Sequence, residues 1–514
     1  MSIRVAIVGG GPGGLFLSTL LKRARPDIEV VLFERNRATD AFGFGVVFSD
    51  RTLARIDAAD PVLHEALERD GVHWDSLGVT AKGETHTFAG NGMAAVHRRI
   101  LLRLLQQSAS EAGVDLRFGT DVSLSDLDEY TVVVGADGTN SRVRDALEPR
   151  LGSTVETASA KFIWFGTTHL FDGLTFLHRQ DENGNFAAHA YPISGELSTF
   201  IVETSEETWR RAGLDRFDPR TPPGESDEVA KAYLTKLFAE DLGGGELVAN
   251  NSRWANFRTR RTPVWHSGNV VLLGDAVHTA HFSVGSGTKM AMEDAIVLAE
   301  QLAHSFDDLE GAFTRYEQER QPEVAKIQNA AGPSLSWWER FAQYYDALEP
   351  LDFAFHFFSR SIDIERVRRR DPGLAAAVDR AWLERHGSAP FFSALTGDGW
   401  SLSGRRLHLS EDASGVTLTD GTTTVPSESV VVVEAPEDEL GLDTAEGLLG
   451  EAPVVVVTGG TALTRTLLAE RVRMLRRRIA VVVDETIDDA AAATLLLAGR
   501  ADAVATRERT RVDA

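Results

Sequence analysis

The chain contains no cysteine. Disulfides, cysteine-ligated iron–sulfur or zinc centres, thiolate nucleophiles and cysteinyl-linked cofactors are therefore excluded. Positive charge is also short: 53 Lys and Arg face 76 Asp and Glu, a net charge of -23. A general nucleic-acid binder needs a basic footprint, so that class is disfavoured. No apolar run approaches the length of a membrane span. The apolar stretch from Ser2 to Leu21 is broken by Gly9, Gly10, Gly11, Pro12, Gly13 and Gly14, which reads as structure rather than as a secretion signal. A cytoplasmic protein fits best. Hydrophobic residues at 43% and charged residues at 25% are ordinary for a globular chain, and 514 residues exceed what one core organises, so two or three domains are expected.

Ile3 to Val8 is a short β-branched run that ends in the glycines, Leu15 to Arg23 follows as a good helix former, and Val30 to Phe33 gives a second strand ending at Glu34. Strand, turn, helix and strand make a βαβ unit of the expected size. A helix is expected from Arg98 to Ala112, and a buried strand from Thr131 to Val134 enters Gly135-Ala136-Asp137-Gly138. From Lys161 to about Val202 the pattern changes to short alternating segments with turn signals at Asp172-Gly173 and Asn183-Gly184, which predicts an antiparallel sheet. Nucleotide-domain grammar returns at Asn269 to Leu273, before Gly274-Asp275 and a helix beginning near Thr288. The fold class expected is α/β: a discontinuous Rossmann-like domain over 1–75, 90–160 and 258–330, an inserted antiparallel-sheet substrate domain over 76–89 and 161–257, a helical extension over 331–389, and a small C-terminal α/β domain over 390–514. The aromatic run holding Trp337, Trp338, Tyr344, Tyr345 and Phe353 to Phe358 reads as packing.

Gly9, Gly11 and Gly14 satisfy G-x-G-x-x-G between a strand and a helix. Gly9 permits the tight turn, Gly11 lets backbone approach a pyrophosphate, and Gly14 allows close helix–strand packing. Glu34 stands 20 residues beyond Gly14 at a strand end, where a carboxylate can accept from ribose hydroxyls. The fingerprint itself does not distinguish FAD from NAD. Val457-Thr458-Gly459-Gly460 reads as a plain strand-end turn.

Gly135-Ala136-Asp137-Gly138, followed by Ser141 and Arg144, resembles the aspartate–glycine motif of FAD-dependent aromatic monooxygenases, the para-hydroxybenzoate-hydroxylase-like group. Gly274-Asp275-Ala276-Val277-His278, followed by Gly285, Gly287 and Glu293-Asp294-Ala295, resembles that group's second flavin motif, and Arg98 matches the arginine that opens a helix near the cofactor pyrophosphate. The resemblance implies noncovalent FAD, held by Gly9, Gly11, Pro12, Gly13, Gly14, Glu34, Arg35, Gly45, Val46, Arg98, Val122, Ala136, Asp137, Gly138, Gly274, Asp275, Gly285, Gly287, Thr288 and Lys289. Asp275 is expected to accept from the ribityl hydroxyls, and His278 to be structural. Since one full dinucleotide fingerprint is visible, NADH or NADPH is expected only as a transient reductant, with dioxygen as co-substrate and no metal.

Phe44 to Asp50, Asn256 to Arg261 and the run from Gly274 through His281, Phe282 and Lys289 resemble, more narrowly, the branch that acts on aryl-coenzyme-A thioesters. In the broader family a proline pair is usual where His281 and Phe282 stand, and an asparagine where Lys289 stands. The resemblance implies hydroxylation through a flavin C4a-hydroperoxide. The expected substrate is salicyloyl-CoA, attacked at the 5-position, with 2-aminobenzoyl-CoA or a free indole or phenol as alternatives and a non-catalytic flavin module as a distant one. His281 and Tyr191 are the candidate catalytic groups. Val46, Val47, His189 and Phe282 are the candidate pocket residues, and each histidine or tyrosine has a satisfied structural role as its bland alternative. Arg258, Arg260 and Arg261 either bind CoA phosphates or sit as solvated or internally paired charges. The tail resembles the beginning and end of an old-yellow-enzyme barrel, yet the 125 residues from 390 to 514 are too few for a barrel of ~250, so it reads as a reduced, non-catalytic remnant. The oligomeric state is left open by the sequence.

Overall fold

A computed structural model describes residues 3–49, 53–217, 224–282, 287–412 and 415–507. The chain forms two compact units, Met1–Gly78 with Asn91–Glu339, and Val79–Gly90 with Arg340–Ala514. Among the described residues no helix is long and apolar enough to cross a membrane.

The first unit is built on a six-stranded sheet ordered His266–Ser267, Val270–Leu272, Val132–Gly135, Arg4–Val8, Glu29–Glu34 and Asp115–Phe118. All neighbours are parallel except the two-residue edge strand. Val132 to Val134 and Val30 to Leu32 are buried on both faces, which is why these strands read as unbroken apolar runs. Arg4–Val8 has Glu29–Glu34 on one side and Val132–Gly135 on the other, so the strand order reverses there. The crevice beyond the carboxyl ends of strands at such a reversal is where α/β sheets bind ligands. Helices Pro12–Ala24, Arg98–Ala112 and Gly287–His304 join this core.

The same unit carries an antiparallel sheet in which Thr154–Thr167 pairs with Ser198–Thr204, Leu247–Ala249 and Ala255–Arg261, while Gly184–Pro192 joins Ser198–Thr204 to Leu174–Asp181. Period-two alternation divides its side chains. Ile163, Phe165, Leu177, Phe186, Ala188, Ala190, Phe200 and Val202 form an apolar core with Leu234 and Phe238. The opposite parity, Phe162, Trp164, Phe176, His178, His189, Tyr191 and Glu203, carries the aromatic and ionisable groups. A third, three-stranded sheet pairs Gly45–Ser49 and Val72–Trp74 with Met93–His97.

In the second unit, Val430–Ala435, Val454–Gly459, Ile479–Val483 and Ala503–Arg507 lie side by side, parallel, in chain order, and Arg406–Asp412 closes against the last of them. One face packs on Leu442, Leu467, Leu468 and Val472, and the other on Leu395, Trp400 and Leu402 of a small hairpin. Consecutive neighbours without a reversal are the winding of a barrel wall, although Gly415–Thr419 and Thr424–Val425 extend the sheet antiparallel instead of closing it.

Two boundaries differ from those read in the sequence. The expected break at 330 falls inside one helix, Leu309–Ala347, which runs through Pro322 and Pro333. Gly332-Pro333 looks like a turn signal, but the chain stays helical there. The segment expected as 76–89 is divided between the units, Gly78 falling in the first and Val79–Gly90 in the second, while its strands Leu77–Ala81 and Glu84–Phe88 stand in the strand order of the antiparallel sheet as expected.

Candidate functional site

The glycine fingerprint makes a turn that side chains would destroy. Gly9 sits at φ 120°, and a Cβ on it would lie 2.2 Å from Ala136 O. A Cβ on Gly14 would lie 2.1 Å from Gly9 O, and one on Gly13 2.7 Å from Leu273 Cδ1, so Pro12–Ala24 seats directly on the strand ends. Gly11 is different: nothing stands within 4 Å of its added Cβ. Backbone is thus bare at the mouth of a helix N-terminus, where an anion is favoured. Glu34 accepts from Gly10 N at 2.7 Å and Asn36 N at 2.8 Å, and lines a groove shared with Gly11, Asn36, Arg37 and Arg98. Arg35 is exposed, and Asn36 and Arg37 line the groove in its place.

Asp137 caps the next helix through Oδ2, 2.7 Å from Arg142 N, while its Oδ1 is buried with no hydrogen-bond partner among the described residues. Gly138 is open at φ 82°, and Ala136 closes against Gly9. Val122 packs at the edge of the core of the six-stranded sheet. Arg144, buried, donates to Thr139 O at 3.0 Å and Ala276 O at 3.1 Å, tying the aspartate–glycine turn to the Gly274-Asp275 turn.

Asp275 is the one exposed residue in the buried run from Val271 to His281, so its carboxylate faces open space in the cleft. Enclosure by the surrounding walls raises its carboxyl, against the pull of His278 and Arg98. Burial likewise pushes the Arg98 guanidinium down, with Asp275 and Tyr191 opposing. Behind the turn, Asp294 accepts from Gly274 N at 3.0 Å, His278 Nε2 at 2.7 Å and Arg320 Nε at 2.8 Å. Burial alone would raise Asp294, but His278 and Arg320 hold it below the usual carboxylate range. Gly287 and Thr288 open the helix beside Asp275, and Lys289 Nζ is 2.6 Å from Glu293 Oε1, which leaves its backbone to face a cofactor. Gly285 lies outside the described residues. These features fit a dinucleotide: bare backbone at Gly11 and Gly138, an orphaned Asp137 oxygen, an acidic acceptor at Glu34 and a cleft-facing Asp275.

On the sheet, Tyr191 donates to Gly45 O at 3.4 Å, and a Cβ on Gly45 would lie 2.2 Å from Ile193 Cγ2. Burial pushes the Tyr191 hydroxyl up to about 12, against Thr199 and Arg98, so at neutral pH it donates and does not act as a base. Strand alternation separates the two valines: Val46 joins the core of the six-stranded sheet, and Val47 packs against the cluster that holds Trp74 and Tyr191. His281 is buried, stacked on Phe282 with ring centres 4.3 Å apart and set edge-on to Phe257 at 4.9 Å. Phe282 is half-buried and meets Phe162, Trp164 and His189. Thus His189, His281 and Phe282 come together, while Tyr191 belongs to the Gly45 corner.

Three residues of this region escaped the sequence reading. Glu203, 1% exposed, has Oε1 2.9 Å from His189 Nε2, without the alignment of a hydrogen bond. Trp338, read as packing alone, lies over His189 with ring centres 4.1 Å apart. Arg320 anchors Asp294 from 26 residues away. Only the parity of Glu203 with His189 across paired strands signalled any of them. Of the three arginines on Ala255–Arg261, Arg258 is exposed, Arg260 has a buried Nε with no partner among the described residues, and Arg261 points the other way to Gln328 at 2.9 Å.

Residues 2–331 match the family model described as FAD binding domain. The chain is 52% identical to a salicyloyl-CoA 5-hydroxylase of Streptomyces sp. over 98% of its own length and 99% of that protein. It is 34% identical to 3-hydroxy-4-methyl-anthranilyl-[aryl-carrier protein] 5-monooxygenase of Streptosporangium sibiricum, over 66% of this chain and 90% of that one. Among solved structures, Pseudomonas aeruginosa PqsL in complex with 2-aminobenzoylacetate aligns with a TM-score of 0.52 and 26% identity, covering 67% of this chain and all of that one.

Proposed function

The chain belongs to the FAD-binding-domain family and is a FAD-dependent monooxygenase, and from that premise we propose that it hydroxylates an aryl-coenzyme-A thioester, salicyloyl-CoA, at the 5-position. The observation that carries the reading is identity of 52% along nearly the whole chain, second unit included, to an enzyme named for that reaction. Bound FAD, reduced by NADH or NADPH and reacting with dioxygen, supplies the oxygen that is delivered to an electron-rich ring. The protein's part is to hold, orient and keep dry. Gly11 and the helix start at Pro12 take the pyrophosphate, Glu34 a ribose hydroxyl, and Asp275 the ribityl chain. Phe282, Phe162 and Trp164 wall the sheet side against water, which protects oxygen transfer from unproductive decay. A hydroxyl ortho to the thioester directs an electrophilic oxygen to the carbon para to itself, the 5-position. Arg258 and Arg260, on one face of their strand, are the proposed CoA-phosphate contacts, since Arg258 is exposed and the buried Arg260 Nε has no hydrogen-bond partner among the described residues. The proposed partner is a small molecule, in the cytoplasm where CoA thioesters and NAD(P)H are made.

Salicyloyl-CoA is expected to accelerate NADH oxidation and yield 5-hydroxysalicyloyl-CoA, with free salicylate doing little, because remote CoA contacts supply energy that positions the ring. Product mass and regiochemistry decide, since NADH consumption alone also follows from uncoupled peroxide release. Equal hydroxylation of free salicylate would refute the thioester reading, and turnover of 2-aminobenzoyl-CoA alone would correct the ring substituent.

We propose further that the second unit is a reduced barrel that binds no flavin. Its four parallel strands in chain order keep a barrel's winding without its full wall. Acid extraction is expected to release one FAD and no FMN per chain. Stoichiometric FMN would overturn the remnant reading.

A further inference from the structure

Glu203 is a carboxyl buried among imidazoles and aromatic rings. It stands on Ser198–Thr204, on the parity opposite to Phe200 and Val202, and so on the face that carries His189. It is 1% exposed, and its carboxylate is 2.9 Å from the His189 imidazole. His281, at the loop of the Gly274-Asp275 motif, is close enough to act on its charge, as is Glu339 from the long helix. Trp338 and Phe282 close over His189, and His178 flanks it on the neighbouring strand. Burying an ionisable side chain this deeply costs free energy unless partners repay it, and an apolar residue would serve packing better. The two imidazoles and the acid instead make a group of sites that can hold one proton in more than one place.

We propose that Glu203 is a positioning residue that acts through the imidazoles of His189 and His281, stabilising on them the proton that the substrate's ring hydroxyl gives up. This rests on the salicyloyl-CoA reading above. The ring O–H bond breaks, its electron pair stays on oxygen, the proton moves to imidazole nitrogen, and the Glu203 carboxylate balances the imidazolium that forms. No electron leaves the ring, and the phenolate is the more electron-rich target for oxygen transfer. The poise of the acid suits this role. Burial lifts the Glu203 carboxyl to about 7, with His281 pulling it down and Glu339 pushing it up, so the acid beside the imidazoles changes its own proton occupancy near neutrality.

The test compares FAD-loaded wild type with Glu203→Gln, Glu203→Asp and His189→Asn. Bound salicyloyl-CoA is titrated for its phenolate absorbance from pH 6 to 9, on the order of the window where such groups titrate, and hydroxylation is followed over the same range. Wild type is expected to bind the ionised ring near pH 7. Glu203→Gln is expected to bind the neutral ring there and to hydroxylate about a hundredfold more slowly, recovering as pH rises, with Glu203→Asp in between. Melting temperature gives a readout without substrate. A carboxyl whose folded pKa is raised stabilises the fold below its unfolded pKa and loses that contribution as pH rises through the folded value. Glu203→Gln is therefore expected to melt higher than wild type at alkaline pH and to show no such gain in acid. Identical phenolate titrations in wild type and Glu203→Gln would overturn the relay. Failure of wild type to bind salicyloyl-CoA at all would overturn the substrate reading and the relay with it, and is recognisable because the melting difference is still present.

Discussion

Gly11→Val is expected to yield a folded, colourless protein. The position is at φ -76° and ψ 176°, comfortable for a β-branched residue, and nothing lies within 4 Å of an added Cβ. The substitution therefore strains no packing, but it fills the space through which backbone at the helix start reaches a pyrophosphate. FAD content after purification is expected to fall to near zero, with the melting temperature close to that of wild-type apoprotein. Gly14→Ala makes the contrasting arm. Its methyl group would stand 2.1 Å from Gly9 O and 3.3 Å from Ala136 Cβ, so the helix must lift from the strand end. Overpacking of this kind costs about 1–3 kcal/mol, and here the apoprotein itself should melt lower. Absorbance of the bound flavin and melting curves of the apoproteins separate the two effects. Retention of FAD by Gly11→Val would mean that the pyrophosphate does not pass this turn.

The turn through Gly9, Gly11 and Gly14 is legible in the sequence because a strand–glycine–helix turn is a local device: strand, glycines and helix lie within a few residues, and their spacing is dictated by backbone sterics. The same holds for the strands Val30 to Glu34 and Val132 to Gly135, whose apolar runs announce burial on both faces. Glu203 shows where legibility ends. Its neighbours in sequence are ordinary strand residues, and only the register that sets Ala187 opposite it and His189 two residues along brings a second ionisable group to it. Val46 and Val47, adjacent on one strand, face opposite ways for a related reason that the sequence run does not display: Val46 joins the core of the parallel sheet and Val47 packs with the cluster of Trp74 and Tyr191. The boundary expected at 330 falls inside a helix because tertiary packing of Ala331, Trp337 and Trp338 holds the chain helical through Gly332 and Pro333.

Asp294→Ala is expected to be the most damaging single substitution outside the cofactor turn itself. The carboxylate is fully buried and is shared by Gly274 N, His278 and Arg320, the last only 1% exposed. Removing one member of a buried charged cluster leaves the others desolvated without compensation, a cost of about 3–5 kcal/mol. The loss reaches function through geometry. Gly274 is at φ 60° with Ala291 Cβ 2.9 Å from where its own Cβ would be, so the turn that aims Asp275 has no second way to sit. Both the melting temperature and FAD retention should fall, and FAD should be released first as temperature rises. Asp294→Asn, which keeps the shape and an acceptor for Gly274 N but not the charge, should fall between. The pH dependence carries a definite sign. Because the folded carboxyl is held below its ordinary value, its contribution is present above the unfolded pKa of about 4 and is lost as pH falls through the folded one. The gap in melting temperature between wild type and Asp294→Ala should therefore be widest near neutrality and close in acid. A gap that is constant with pH would show that Asp294 acts there by packing and not by charge.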